Sequence, residues 1–330
     1  RLSGDYTRDK SLPRGGHRLI PAQLSGTAVL SNVFDTQGAA NFPKQDVKAW
    51  GMSLFMEGKP SDWLTVRSIT SYRKDDSATP IDFDALPTGD LDVPGFYKNR
   101  QFSQEIQFLV SAGKLNGLIG AYYLNASALT QFESRLYTTS PGFAAFTNAD
   151  IGTDTLAGFA DFTYDLTDQL SLSVGGRYTW DKRDGYILRQ NYLNGGSPVF
   201  GSAGIAFGAA QTNFRGSSTF KKFTPKASLS FKPAPGQQVY ASFSQGFKGG
   251  GFDPRGVGIN AIDLNNDGVK SQDEIAKFLS FRPEKVNSYE VGYKADLFDR
   301  RVYLALAGFY MDYTDVQIPG SVACNAGGVA

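Results

Sequence analysis

The chain of 330 residues has one histidine, one cysteine and three methionines. A lone His17 and a lone Cys324 leave no partner for Ser–His or Cys–His nucleophilic chemistry. His17 falls in an irregular, polar stretch, where a surface role is expected. No enzyme activity is expected. One cysteine also excludes an internal disulfide, and in a secreted setting an odd cysteine implies a partner elsewhere or a free thiol. Charge surplus is missing as well, with 33 basic against 32 acidic residues and a net charge of +1. A nucleic-acid partner normally leaves a basic surplus, so none is expected. No run approaches the roughly 20 apolar residues of a membrane-crossing helix. That excludes helical membrane proteins but not barrels, whose strands alternate apolar and polar residues. The first residues show no charged, apolar or cleavage region of a secretion signal. Leu2, Gly4, Tyr6 and Arg8 read as the middle of a strand, so a mature chain or a fragment is expected.

What the chain does have is glycine (37), phenylalanine (25) and tyrosine (16). Glycine disfavours helices and aromatics favour strands. Period two then dominates the pattern. In 170–180, Leu170, Leu172, Val174, Gly176, Tyr178 and Trp180 alternate with Ser171, Ser173, Gly175, Arg177 and Thr179. Successive strand side chains point to opposite faces, so this segment has one apolar and one polar side. The same alternation marks 102–110, 223–231, 238–244 and 286–297. Less regular strands are predicted over 46–57, 63–73, 117–135, 153–165 and 302–316, about eleven in all.

Short turns with Gly, Pro, Asn or Asp are expected at 58–62, 112–116, 166–168, 233–236 and 298–300. Long irregular stretches are expected near 9–44, 75–98, 136–152, 183–217 and 248–284. Short and long alternate strictly, so an up-and-down sheet would gather the short turns at one end. Outer-membrane barrels have that anatomy, and strands of ten or more residues suit a tilted bilayer crossing. Trp50, Trp63, Tyr72, Tyr164, Trp180, Tyr310 and Tyr313 lie near strand ends, where aromatic girdles would meet the membrane surfaces. The fold class expected is all-β: a partial antiparallel transmembrane β-barrel. Eleven strands do not close a bacterial single-chain barrel, which takes an even number.

One further motif stands apart. Asp263-Leu264-Asn265-Asn266-Asp267-Gly268-Val269-Lys270-Ser271-Gln272-Asp273-Glu274 satisfies the twelve-residue calcium-loop pattern. Asp263, Asn265 and Asp267 would offer side-chain oxygens, and Val269 its carbonyl. Ser271 would act directly or through water, and Glu274 would close the site with two oxygens. Ser271 and Glu274 also form a capping box ahead of Ile275, Ala276, Phe278 and Leu279. A short exiting helix is therefore expected, with no helix entering through 256–260. A structural Ca²⁺ is expected, and no other cofactor. Gly249-Gly250-Gly251 lacks the lysine and helix start of a phosphate cradle, and is expected to let the chain leave a barrel wall.

Several phrases resemble TonB-dependent outer-membrane receptors. They are Val239-Tyr240-Ala241-Ser242-Phe243-Ser244-Gln245-Gly246-Phe247-Lys248-Gly249-Gly250-Gly251-Phe252, the run 282–294 from Arg282-Pro283-Glu284 to Gly292-Tyr293-Lys294, and 309–317 from Phe309-Tyr310-Met311 to Val316-Gln317. Asp161-Phe162-Thr163-Tyr164-Asp165-Leu166-Thr167-Asp168, leading to Gly176-Arg177-Tyr178, is similar to another hairpin of that family. The resemblance implies that 1–330 is part of a 22-stranded, monomeric barrel in the bacterial outer membrane, with the plug domain and C-terminal strands outside this chain. It implies TonB-energised uptake of a scarce small molecule such as a ferric siderophore, with lipid around the wall and the TonB complex as partner. Arg177, Lys226, Glu105, Glu290, Lys294 and Asp161 would then face the lumen. His17, Phe96, Tyr97, Phe143, Phe146, Phe252 and Arg255 are candidate ligand contacts in outer loops. A passive porin would share the strands, and a soluble calcium-binding adhesion module would share the calcium loop.

Overall fold

A computed structural model describes residues 1–13, 15–23, 25–38, 40, 42–137 and 142–318. Cys324 and the loop expected at Pro319-Gly320-Ser321 lie outside the described residues. Eleven strands form one antiparallel sheet in which sequence neighbours are also spatial neighbours. They are β1 (Leu2–Asp9), β2 (Asp46–Ser61), β3 (Leu64–Asp82), β4 (Asp92–Ala112), β5 (Leu115–Arg135), β6 (Ala144–Asp165), β7 (Leu170–Leu193), β8 (Ile205–Phe231), β9 (Gln237–Lys248), β12 (Glu284–Leu297) and β13 (Val302–Thr314). Two-residue strands β10 (Gly251–Phe252) and β11 (Ser280–Phe281) pair with each other, and one α-helix, α1 (Gln272–Leu279), lies between them. No helix among the described residues is long and apolar enough to cross a membrane.

The alternation read from the sequence holds in register across the sheet. Leu172 pairs with Tyr164 and Leu229, Val174 with Phe162 and Ala227, and Tyr178 with Phe223. Following the partners outward places Met52, Leu54, Phe102, Ile106, Phe108, Ile119, Val239, Tyr289, Val291 and Leu306 on that same face. All of these are exposed. Ser68, Thr70 and Gln104 also lie on this face, hydrogen-bonded to one another between β3 and β4. A largely apolar exposed face of this kind marks contact with another apolar phase, and a barrel's lipid side supplies it. Burying one such side chain in an apolar phase is worth about 1.5–3 kcal/mol. Aromatics line the face: Trp50 packs on Tyr72 at 5.3 Å, Phe243 on Tyr289 at 5.1 Å, and Tyr289 on Tyr310 at 6.4 Å between ring centroids. Tyr313 pairs with Val286 and so falls on the opposite face, which removes it from the expected girdle.

Connections alternate as expected. Residues 62–63, 113–114, 166–169, 232–236 and 298–301 link strands at one end, and 10–45, 83–91, 136–143, 194–204 and 249–283 at the other. Three expected loops are much shorter than the sequence suggested. The stretch 75–98 is strand except for 83–91, 136–152 is strand from Ala144 on, and 183–217 is strand except for 194–204. A bilayer crossing takes roughly 9–11 residues, whereas β8 has 27. The excess projects beyond the lipid. There both faces meet water or loops, so hydrophobic alternation is lost while the hydrogen-bond ladder continues.

The compact core of the molecule sits in this projecting part. Ala149, Ile187 and Phe214 from β6, β7 and β8 pack with Phe252, Ala261, Ile275 and Leu279 from the 249–283 connection. That connection therefore folds back against the sheet. It covers the side carrying Arg177, since Ile187 and Arg177 are both odd-numbered positions on β7.

Candidate functional site

The polar face carries a ladder of charge across many strands. Arg73 reaches over Gly51 to Asp5 on β1 at 2.6 Å, and Arg67 donates to Glu57 at 2.6 Å. Lys226 on β8 pairs with Asp161 on β6, across β7. The Arg177 guanidinium lies 5.3 Å from the Tyr122 ring centroid and 5.5 Å from that of Phe159. The Tyr240 hydroxyl donates to Glu290 at 2.5 Å, and Lys294 lies over the Tyr240 ring at 5.3 Å. All six lumen charges expected from the sequence, Glu105 included, thus share one face. Exposed ion pairs of this kind add at most about 1 kcal/mol each. Their arrangement matters more as a polar surface for whatever enters the interior. Nearer the long connections, Arg73, Asp75, Thr153 and Arg183 line a cavity of about 380 Å³ on this face.

Gly292 makes part of that surface possible. A Cβ there would fall within the ring of Tyr240, its partner on β9. The close approach lets the ring lie flat across β12 and bring its hydroxyl to Glu290. Gly292→Val is expected to push the ring away and break that bond, at about 1–3 kcal/mol for the overpacking. Thermal unfolding alongside Tyr240→Phe checks this, because the glycine change should cost more than loss of the hydroxyl alone.

The twelve-residue loop lies in the 249–283 connection. Asp263 accepts from the Gly268 N–H at 2.8 Å and the Asp267 N–H at 3.3 Å, which wraps the loop around its first carboxylate. Gly268 sits at φ 81, the left-handed region the sharp turn requires. Asp267 accepts from Val269 N–H at 2.8 Å and from the Asn265 amide at 2.8 Å. The exiting helix is α1, with Ser271 as N-cap and the capping box to Glu274 complete. On the entering side there is one 3-10 turn, Gly258–Asn260, where no helical turn was expected. Glu274 is buried, and its carboxylate accepts from Leu264 N–H at 2.6 Å and from Ser271 N–H and Oγ at 2.9 Å. Those donors, Leu264 first, hold its carboxyl below the usual carboxylate range. Chemically the set is all oxygen, which suits a hard divalent cation.

A second acidic group was not read from the sequence. Asp82, Asp84 and Asp92 bring one carboxylate oxygen each within 4.8 Å of one another. Burial, then the charges of Asp84 and Asp82, push the Asp92 carboxyl up to about 6.

The family description "TonB dependent receptor-like, beta-barrel" matches residues 2–329. The chain belongs to that family. Members of the TonB-dependent receptor family are β-barrels of the Gram-negative outer membrane, and this sheet is part of such a wall. The rhizobactin receptor of Rhizobium meliloti is 28% identical over 169 residues, covering 48% of this chain and 20% of that protein. The ferric yersiniabactin uptake receptor FyuA from Yersinia pestis superposes with a TM-score of 0.61 at 19% identity, over 84% of this chain and 38% of that one. The ferric-catecholate import receptor Fiu from E. coli K12, in its open form, gives 0.55 at 15% identity, over 95% and 50%. The chain therefore spans half or less of the relatives it matches. At these identities the structural matches establish the fold. The family match removes the soluble adhesion module as a reading.

The candidate ligand contacts separate in the structure. Phe252 is in the buried cluster, and Phe146 is buried and packs on Phe200, which also stacks on Phe96 at 4.8 Å. Phe96, Tyr97 and Phe146 lie in strands rather than loops. His17 meets the Asp35 carbonyl oxygen at 3.0 Å, and Arg255 pairs with Asp253 at 3.3 Å. Phe96, Phe146 and Phe252 thus pack the projecting strands and loops together. Register between distant strands, which composition does not reveal, is what assembled the Arg73–Asp5 and Asp161–Lys226 pairs.

Proposed function

We propose that this chain is part of the wall of an outer-membrane transporter that takes up a ferric siderophore with energy from the TonB complex. The observation that carries the reading is the family match over 2–329, on a sheet with one apolar and one charged face. The relatives named above bind rhizobactin, import a ferric catecholate or take up ferric yersiniabactin. In this reading further strands complete a monomeric 22-stranded barrel, and a plug domain rests against Arg67, Arg73, Arg177 and Glu290. The protein binds and passes its ligand without catalysis. A porin would admit solutes passively. Growth on ferric siderophores under iron limitation distinguishes the two: deleting the parent gene should abolish growth on at least one, and so should deleting TonB. Uptake that continues without TonB overturns the receptor reading.

The loop Asp263–Glu274 serves in this reading as a calcium staple for the 249–283 connection. Its support is the wrapped loop, the buried Glu274 and the all-oxygen donor set. A sensor needs two helices that swing apart, and α1 has no entering counterpart among the described residues. Occupancy at roughly 10⁻⁴–10⁻³ M, as in extracellular calcium modules, would follow the surroundings.

A further inference from the structure

We propose that Asp82, Asp84 and Asp92 form a second, independent calcium site that staples the β3–β4 hairpin at its outer end. Asp82 is the last residue of β3 and Asp92 the first of β4, and the register sets them directly opposite each other. Like charges in that position repel and destabilise the pair. Asp84, in the connection between them, adds a third carboxylate to the same group.

The burial makes this more than a polar surface. Asp92 is 9% exposed and Asp84 8%. Asp82 accepts from Ala85 N–H at 2.6 Å, and Asp84 from Leu86 N–H at 2.8 Å and Leu91 N–H at 2.5 Å. The Asp92 carboxylate, by contrast, has its Oδ1 buried with no hydrogen-bond partner. Leaving an ionised oxygen buried and unpaired costs several kcal/mol in general, so a counter-charge is called for. Neighbouring arginines direct their bonds elsewhere. The charge of Arg135, opposite Asp92 on β5, favours the ionised Asp92, but its guanidinium donates to Glu133 at 2.6 Å and leaves Oδ1 without a hydrogen bond, and Arg18 donates to the Asp84 main-chain oxygen at 2.9 Å.

Geometry and chemistry select the ion. Calcium–oxygen bonds of 2.3–2.6 Å span about 4.6–5.2 Å between opposite ligands. The three carboxylates lie within 4.8 Å of one another, so their oxygens can all reach one central ion. With carboxylate donors and neither imidazole nor thiolate, the set favours a hard cation over zinc or copper. Calcium also tolerates irregular coordination, where magnesium demands a near-ideal octahedron. Bound there, it would tie the end of β3, the 83–91 connection and the start of β4 together.

The test uses the full receptor in detergent, with calcium chloride titrated calorimetrically. In a variant whose other loop is disabled, Asp263→Asn with Glu274→Gln, one equivalent of calcium should still bind. Adding Asp82→Asn and Asp92→Asn should weaken that binding at least about tenfold. Melting temperature supplies a second reading that does not depend on affinity. In chelator, Asp92→Asn should melt no lower than the parent, since it removes a repelling charge. In millimolar calcium the parent should melt higher than the variant. Loss of all calcium binding in the loop-disabled variant overturns the proposal, as does binding indifferent to Asp82 and Asp92. So does an Asp92→Asn protein that melts lower by the same amount in chelator and in calcium, because that marks a purely structural carboxylate. Failure of the 263–274 loop to bind calcium leaves this site standing, and the reverse holds too.

Discussion

Val174→Arg is expected to destabilise the parent barrel in phospholipid vesicles by about 1–3 kcal/mol, because an arginine on the lipid face costs about 2–4 kcal/mol at the bilayer midplane and about 0–1 kcal/mol near its surface. Val174 is exposed, sits between Phe162 and Ala227, and lies one step along its face from Leu172. Tyr164, beside Leu172, marks one membrane surface. Trp180, three positions beyond Val174 on the same face, approaches the other. The guanidinium would thus enter hydrocarbon with no polar partner on its face. Ser242→Lys supplies the contrast. Ser242 pairs directly with Glu290 on the charged face, so a lysine gains an opposite charge across the strands. Its effect should stay within about 1 kcal/mol. Urea unfolding of the reconstituted protein, followed by tryptophan fluorescence, measures both. Equal losses from the two substitutions would show that the faces are wrongly assigned.

Calcium should switch the 249–283 connection from protease-sensitive to protected, with cleavage between Gly251 and Phe281 falling steeply over about 10⁻⁴–10⁻³ M. Asp263, Asn265 and Asp267 share one turn, Glu274 is tied to it through the Leu264 N–H, and Lys270 lies 4.0 Å from Asp263, so the acidic turn has only a distant lysine to offset its charge until a metal cation binds. The ends of the connection are already anchored. β10 pairs with β11 at the base, and Ile275 and Leu279 are buried against Phe214 and Ile187. Only the central turn then depends on the ion. Glu274 also caps α1 and holds Leu264, so two variants are needed to separate its duties. Glu274→Gln keeps an oxygen for those N–H groups but loses the charge. It should retain α1 and lose most of the protection. Glu274→Ala should lose both, with loss of the capping interactions adding about 0.5–2 kcal/mol. Identical cleavage patterns with and without calcium in the unaltered protein would count against the loop as a metal site.

Much of the wall was legible in the sequence, and the reason is local. A strand with lipid on one side and water on the other must alternate, so Leu170 to Trp180 and Ser288 to Leu297 declare their faces residue by residue. Turns such as Ala112-Gly113-Lys114-Leu115 declare themselves through a left-handed glycine, here at φ 58. The capping box at Ser271 and Glu274 is a three-residue spacing, and α1 begins where it says. Legibility failed above the membrane. Lys182, Asp184, Leu188 and Gln190 on β7 show no alternation because neither face meets lipid, yet the ladder to β6 runs on unbroken past them and the ladder to β8 continues with one register shift at Gln190. Phe96 and Phe146 looked like exposed ligand contacts for the same reason. Nothing near them in the chain signals that Phe200 would fill the space between them.

The chain by itself thus determined the sheet, its two faces, the alternation of its connections and the start of α1, because each follows from contacts within a few residues or from which solvent a face meets. Only the tertiary structure decided how far the strands run past the bilayer. It also decided that the 249–283 connection folds onto β6, β7 and β8, and that Asp82 and Asp92 meet across a hairpin with Asp84 beside them. Those outcomes depend on register and on packing between residues far apart in the chain. A one-residue slip in β4 would send Asp92 to the opposite face from Asp82, and no short-range pattern records that choice.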